Sequence, residues 1–444
     1  MKKPTLIFTV LLFFLSVAGS ATAQDQPKPT SGEPFLKEKG SKKGSDIKEE
    51  SAEPETVINV GTLVQYIDVK REKWQDWLEK NPASLDAGAL RKEAEVWIAG
   101  GDAALAETTL IMGKSGQRAK IESQREIFLP TKFFSVEAGL PFPGTFDLRN
   151  IGTVLEVDPV IPEAGRVDLN YAPERTAYRG ENPPVVLPGV EAGDIRWPIF
   201  STQRVAGNAS LRSEQWALIG CEASLEGDEA NQTLIFTRPV IHQFEAPAGN
   251  PAGKPEGVLT FEWIEVGHGE LNRQLVESED MSALIGGGLH QAALEGGGKI
   301  IDTRVIRFMS GQRLKNESVE EVIYPTRYIA EKGQVHSNPD SHETRNSGVS
   351  IEVDAVVGAG GGLVDLNMSL ERVFHFGESI HHRVLIDSKW ETDVTMPVFY
   401  TMRATTQTTA PIGSPVLIGV MSPPDEKGWI DSSRKMLLFV KVSR

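Results

Sequence analysis

The chain matches itself in order along most of its length, and that limits it to folds that one half can build and a second half can repeat. Gly116-Gln117-Arg118 recurs as Gly311-Gln312-Arg313, an offset of 311 − 116 = 195. In the same block Lys120, Glu122, Ser123, Glu126, Pro130 and Thr131 recur without a gap as Lys315, Glu317, Ser318, Glu321, Pro325 and Thr326. Gly152 with Leu155-Glu156-Val157-Asp158 answers Gly348 with Ile351-Glu352-Val353-Asp354, at 348 − 152 = 196. Val167-Asp168-Leu169-Asn170 recurs as Val364-Asp365-Leu366-Asn367, at 364 − 167 = 197. Pro198, Phe200, Thr202 and Arg204 recur as Pro397, Phe399, Thr401 and Arg403, and Leu218-Ile219-Gly220 as Leu417-Ile418-Gly419, both at 417 − 218 = 199. Small loop insertions make an offset drift slowly in this way; chance matches would not keep their order. Two tandem copies, 57–245 and 257–444, are expected.

Each half reads as an α+β module, a mainly antiparallel sheet with one or two helices. A strand opens it (Leu63 to Val69; Leu259 to Val266), and a helical stretch follows (Ala87 to Ala99; Met281 to Glu295). Gly100-Gly101 and Gly296-Gly297-Gly298 stand where a helix end needs positive φ. Next come a strand, the Gly-Gln pair as a tight turn between strands, and an antiparallel meander. Ser350 to Val357 and Leu363 to Leu370 alternate apolar and polar side chains, so one face is buried and the other is wet. A helix-covered sheet accounts for both faces and leaves no apolar band for lipid, so a water-soluble mature chain is expected.

The start of the chain reads as an export signal. Lys2 and Lys3 precede the apolar run from Leu6 to Ala18, and Ala21-Thr22-Ala23 is the small-x-small pattern cut by signal peptidase, with cleavage between Ala23 and Gln24. The run of 18 − 6 + 1 = 13 residues is short of the roughly 20 that a spanning helix needs. Gln24, not Cys, follows the cleavage point, which excludes lipid anchoring there. No later segment is long and apolar enough for a transmembrane helix. Residues 24–56 are rich in Lys, Glu, Ser, Pro and Gly and read as a disordered linker. The 46 Lys and Arg against 61 Asp and Glu give −15, and removing the two signal lysines gives −15 − 2 = −17. So acidic a chain is a poor general binder of nucleic acid. The single cysteine, Cys221, excludes an intrachain disulfide framework. Its counterpart in the second half is Val420, so a buried structural thiol is expected.

No motif for catalysis, cofactor or metal emerges. Gly113-Lys114-Ser115 lacks the first glycine of a phosphate loop, since Thr108 stands there. His375, His381 and His382 do not converge from one strand, because alternate residues point to opposite faces. Trp74 and Trp77, three apart on a helical stretch, read as core rather than as a ligand platform.

The ordered motifs resemble the C-terminal domain of the secretins, the outer-membrane ring proteins of type II and III secretion and type IV pili. The resemblance rests on the helix at Leu289 to Lys299, then Gly311-Gln312, then Pro325. It rests also on Gly152, Leu155, Val157 and Pro159, on Gly413, Leu417, Ile418 and Gly419, and on a final strand Leu437-Leu438-Phe439-Val440. It covers most of 90–245 and 285–444. Two departures stand out. Secretins carry a Pro-rich, lip-forming segment where this chain has only Ser422 to Trp429, and they use one such domain per chain after several ring-building domains. The resemblance implies a non-catalytic exported envelope protein, a structural or assembly component in protein secretion, located in the periplasm or at the outer membrane. It implies protein partners or self-association. The alternative is a soluble periplasmic binding or scaffold protein that kept the fold without the pore.

Overall fold

The computed structural model describes residues 56–82, 84–134, 142–182, 197–225, 228–245, 255–330, 336–386 and 389–444. The expected signal segment, its cleavage point at Ala23 and Gln24, and the linker apart from its last residue lie outside the described residues.

Continuous apolar runs, as in β2, β16 and β17, gather in the middle of one sheet. That sheet is ordered β11-β10-β17-β16-β2-β1-β9-β8. Its strands are β1 (Thr56–Lys70), β2 (Ala103–Lys114), β8 (Ala217–Ala223), β9 (Asn231–Glu245), β10 (Glu256–Gly267), β11 (Lys299–Met309), β16 (Pro415–Met421) and β17 (Arg434–Ser443). The middle of this sheet is covered on both faces, so a strand such as β16, Pro-Val-Leu-Ile-Gly-Val-Met, needs apolar side chains in both directions.

Alternating runs, as at 350–357 and 363–370, lie in a second sheet ordered β12-β13-β14-β15-β3-β4-β5-β6, with β7 also paired to β5. Its strands are β3 (Ala119–Phe134), β4 (Phe142–Val160), β5 (Arg166–Glu181), β6 (Pro198–Arg204), β7 (Gly207–Arg212), β12 (Gln312–Ile329), β13 (Asn338–Val357), β14 (Leu363–Ile386) and β15 (Lys389–Pro411). Every pairing between these named strands is antiparallel.

The inner faces of the two sheets make the main core. Val60, Ile111, Phe261, Trp263, Ile418 and Val440 from the first sheet meet Ile121, Leu155, Leu169, Ile351, Val353 and Leu366 from the second. The helices lie on the other face of the first sheet. They are α1 (Arg71–Lys80), α2 (Gly88–Gly100), α3 (His268–Glu277), α4 (Met281–Ala283), a π-helical turn (Leu284–Gly288) and α5 (Leu289–Glu295). Trp74, Leu90, Ala94 and Trp97 pack on Ile67, Leu234 and Phe236, while Leu271, Leu275, Ile285 and Leu289 pack on Leu63, Leu417 and Phe439. Gly101 ends α2 with φ +75, its N–H bonded to Ile98 and Trp97 carbonyls.

Two expectations are corrected here. The described residues are far richer in strand than an α+β module, and the helices among them cover one face of one sheet. The alternating faces of 350–357 and 363–370 are buried against the first sheet, not against helices, because a second sheet demands the same one-sided pattern as a helix layer. The strands also run on well past the sandwich. At the far end Arg327 of β12 meets Thr145 of β4, and Phe128, Phe142, Tyr328, Val394, Met396 and Phe399 form a separate aromatic core. No helix among the described residues is long and apolar enough to cross a membrane.

Candidate assembly interface

Both sheets pass from the second half of the chain into the first without a break. In the first sheet β16 pairs with β2, Val420 opposite Leu110 and Gly419 opposite Ile111. In the second sheet β15 pairs with β3, from Phe399 opposite Glu126 through Arg403 opposite Glu122 to Thr405 opposite Lys120. An outer strand of one half therefore lies beside an outer strand of the other, in both layers.

Polar groups lock this junction. Glu107 of β2 is fully buried and forms an ion pair with the equally buried Lys435. The Ser422 hydroxyl donates to both Glu107 oxygens at 2.8 and 2.9 Å, and the Ser422 N–H donates to Ser123 Oγ at 3.1 Å. Burial opposes ionisation of Glu107, but the adjoining Lys435 ammonium outweighs it and holds the carboxyl below its ordinary value. His268 Nδ1 donates to the Ser432 carbonyl at 2.8 Å, so Nε2 accepts from the Thr108 hydroxyl. Burial, and then Lys435, push this imidazole down to about 4. Asn59 bonds the main chain of Thr409 in both directions, tying the sheets together. In the segment from Ser422 to Trp429, Ser422, Pro423, Pro424 and Gly428 are buried while Glu426 and Lys427 are exposed. Trp429 stacks on Tyr178 at 5.6 Å, and Arg125 lies 4.0 Å over its ring and donates to the Lys427 carbonyl.

The residues singled out by the repeat lie as follows. Gly116 (φ +80) and Gly311 (φ +78) sit in the turns β2–β3 and β11–β12, with Gln117 in the first turn and Gln312 opening β12. Gly152 (φ +137) and Gly348 (φ +131) lie inside β4 and β13, each pressed against the backbone of its neighbour, at Ser123–Gln124 and Ser318–Val319. Gly220 and Gly419 follow matching irregularities in β8 and β16, between Leu218 and Gly220 and between Leu417 and Gly419. Pro130 and Pro325 mark register shifts in β3 and β12.

The far edges carry the same strand types, and among the described residues no strand pairs with their outer sides. β8 and β6 end the two sheets on one side, β11 and the near part of β12 on the other. Cys221 is exposed, which corrects the expected buried thiol: β8 is an edge strand, whereas Val420 sits inside the sheet. Val305 is 63% exposed where its counterpart Leu110 is fully buried, and Ile323 is 68% exposed where Phe128 is 8%. On the opposite side Ile199 is 41% exposed against 8% for Val398. Sequence reasoning alone did not reach the Glu107–Lys435 pair, though Glu107 stands near the apolar run Leu110-Ile111-Met112 and Lys435 adjoins the run Met436 to Val440.

No protein-family model matches the chain, and no curated protein does. Among solved structures the chain is similar to ExeD of Aeromonas hydrophila, at 14% identity over 42% of this chain and 49% of that one, with a TM-score of 0.20. It is similar also to the secretin-domain β-barrel of InvG from the Salmonella SPI-1 injectisome, at 10% identity, 42% and 61% coverage and a TM-score of 0.21. The V. cholerae type IV competence pilus secretin PilQ gives 13%, 42%, 58% and 0.21. The chain spans between about half and two thirds of the length of these three.

Proposed function

We propose that the chain is a non-catalytic, exported structural protein of the bacterial envelope that joins copies of itself side by side. In this reading it consists of two secretin-like modules, 57–245 and 257–444, and serves as a structural or assembly component in protein secretion. The observation that carries it is the pair of open strand edges. Each is the counterpart of a strand that is buried at the junction within the chain, and each exposes apolar side chains where that counterpart hides them. Long edges are normally blunted by charge, proline or cover. These edges carry charge as well, such as Arg304 and Arg307 on β11 and Lys315 on β12, but they keep exposed apolar residues such as Val305 and Ile199, and an unpaired strand edge is a surface for strand addition. Because the two edges differ, their pairing is head to tail, which gives a ring if the rotation closes and a filament if it does not.

The ordered secretin-like motifs and the signal-like first 23 residues support the envelope setting. The packing of 422–429 favours the scaffold alternative over a complete pore, because the segment that would form a lip is spent on Tyr178 and Arg125. Sedimentation of residues 24–444 over a range of concentrations tests self-association. Species at whole multiples of the monomer mass are expected; a monomer at every concentration overturns the proposal. Ion conductance in liposomes then separates a pore from a scaffold.

A further inference from the structure

The open end of the second half carries a cavity as well as a strand edge. About 300 Å³ lies between β11, β12, β13 and β14, lined by Asp302, Arg304, Ser318, Gly348, Arg372 and Phe376 among others. At the offsets of the repeat, Asp302 corresponds to Glu107, Ser318 to Ser123, Gly348 to Gly152 and Arg372 to Arg175. In the first half that place is filled. The chain leaving β16 enters it, with Ser422 bonded to Ser123 and Glu107.

Resting on the self-association reading, we propose that this cavity is the seat for the chain leaving β8 of a neighbouring copy, at the exposed Ala223. Ala223 occupies the position of Ser422, since 422 − 199 = 223. The charges fit a second copy. In the filled seat the cation comes from the other half of the chain, as Lys435 of β17 pairs with Glu107. The open seat has its own cations, with Asp302 held by Arg304 at 3.0 Å and by Arg372 at 3.4 Å. Two guanidiniums against one carboxylate leave a surplus positive charge. The segment around Ala223 is acidic, with Glu222 before it and exposed Asp228 and Glu229 after it. Opposite charges at such a rim set register and speed encounter.

Ser318→Trp fills the cavity from an exposed position on β12. Sedimentation should show the association of residues 24–444 weakened by at least about tenfold, with an unchanged thermal midpoint, while Ser318→Ala associates like the wild type. Should Ser318→Trp lower the midpoint, Glu229→Lys on the exposed turn makes the same test from the other side, with weaker association at low salt expected. Wild-type-like association of a stably folded Ser318→Trp, or of Glu229→Lys when that variant carries the test, overturns the cavity's role and leaves self-association standing. A wild type that stays monomeric overturns both.

Discussion

Replacing Gly348 by alanine tests the backbone on which the second sheet depends. At φ +131 the residue lies in a region that only glycine occupies readily, at a strain of roughly 1–3 kcal/mol for any other residue. A Cβ there would fall well inside contact distance of the Ser318 carbonyl oxygen and 2.9 Å from Val319 Cα. Both are backbone atoms of the paired strand β12, so no rotamer relieves the clash, and β13 must lift from the ladder at a further ~1–3 kcal/mol. The loss should therefore total about 2–6 kcal/mol. Gly311→Ala is the control. Its φ is +78, but a Cβ there meets nothing within 4 Å, so only the left-handed backbone costs, at roughly 1–2 kcal/mol. Urea unfolding followed by tryptophan fluorescence gives both values from the shift in midpoint at constant slope. Gly152, with φ +137 against the Ser123 carbonyl, should behave as Gly348 does. Equal losses for Gly348→Ala and Gly311→Ala would refute the close-approach argument.

Lys435→Met strands the Glu107 carboxylate in the core and should cost about 3–5 kcal/mol in urea unfolding, most of it recovered by adding Glu107→Leu. A loss that the second change does not recover would assign the cost to packing instead. Acid should weaken the fold through His268. The unfolded imidazole takes up a proton near 6.5, whereas the folded one waits until about 4. The unfolded state binds more protons in that window, so stability falls as pH drops from about 6.5 towards 4, by at most about 3 kcal/mol from this group. The slope should shrink in His268→Gln; an unchanged slope contradicts the assignment.

The sequence reveals which residues share a face and misleads about where strands stop. The alternation at 350–357 and 363–370 marks the buried faces correctly, but Gly and Pro read as strand ends. In the folded chain Pro325 and Gly377 sit at register shifts inside β12 and β14, and the strands continue for 18 and 24 residues. The far part of β13, Asn-Pro-Asp-Ser-His-Glu-Thr-Arg-Asn, has no apolar alternation to announce a strand; its backbone is held by its partner β12. A sheet covered by helices and a sheet covered by another sheet ask for the same one-sided pattern, so the sandwich could not be told from an α+β layer. Comparing Cys221 with Val420 gives a buried thiol only if both strands lie inside a sheet. Which of two matched strands ends as an edge is decided by how the halves meet, a long-range outcome that no local pattern carries.

Disulfide formation between copies is the most direct measurement of the central claim. Within the chain Val420 stands opposite Leu110, and the same offsets place Cys221 of one copy opposite Val305 of the next. Opposite residues of an antiparallel pair have Cα atoms ~4.5–5.5 Å apart, inside the range that a disulfide spans. In Val305→Cys, whose only other cysteine is the exposed Cys221, mild oxidation should give a ladder of covalent multimers on a reducing-agent-free gel. The ladder should vanish in Val305→Cys/Cys221→Ser. A Val305→Cys protein that stays monomeric after oxidation, at concentrations where both thiols are titratable, contradicts the account.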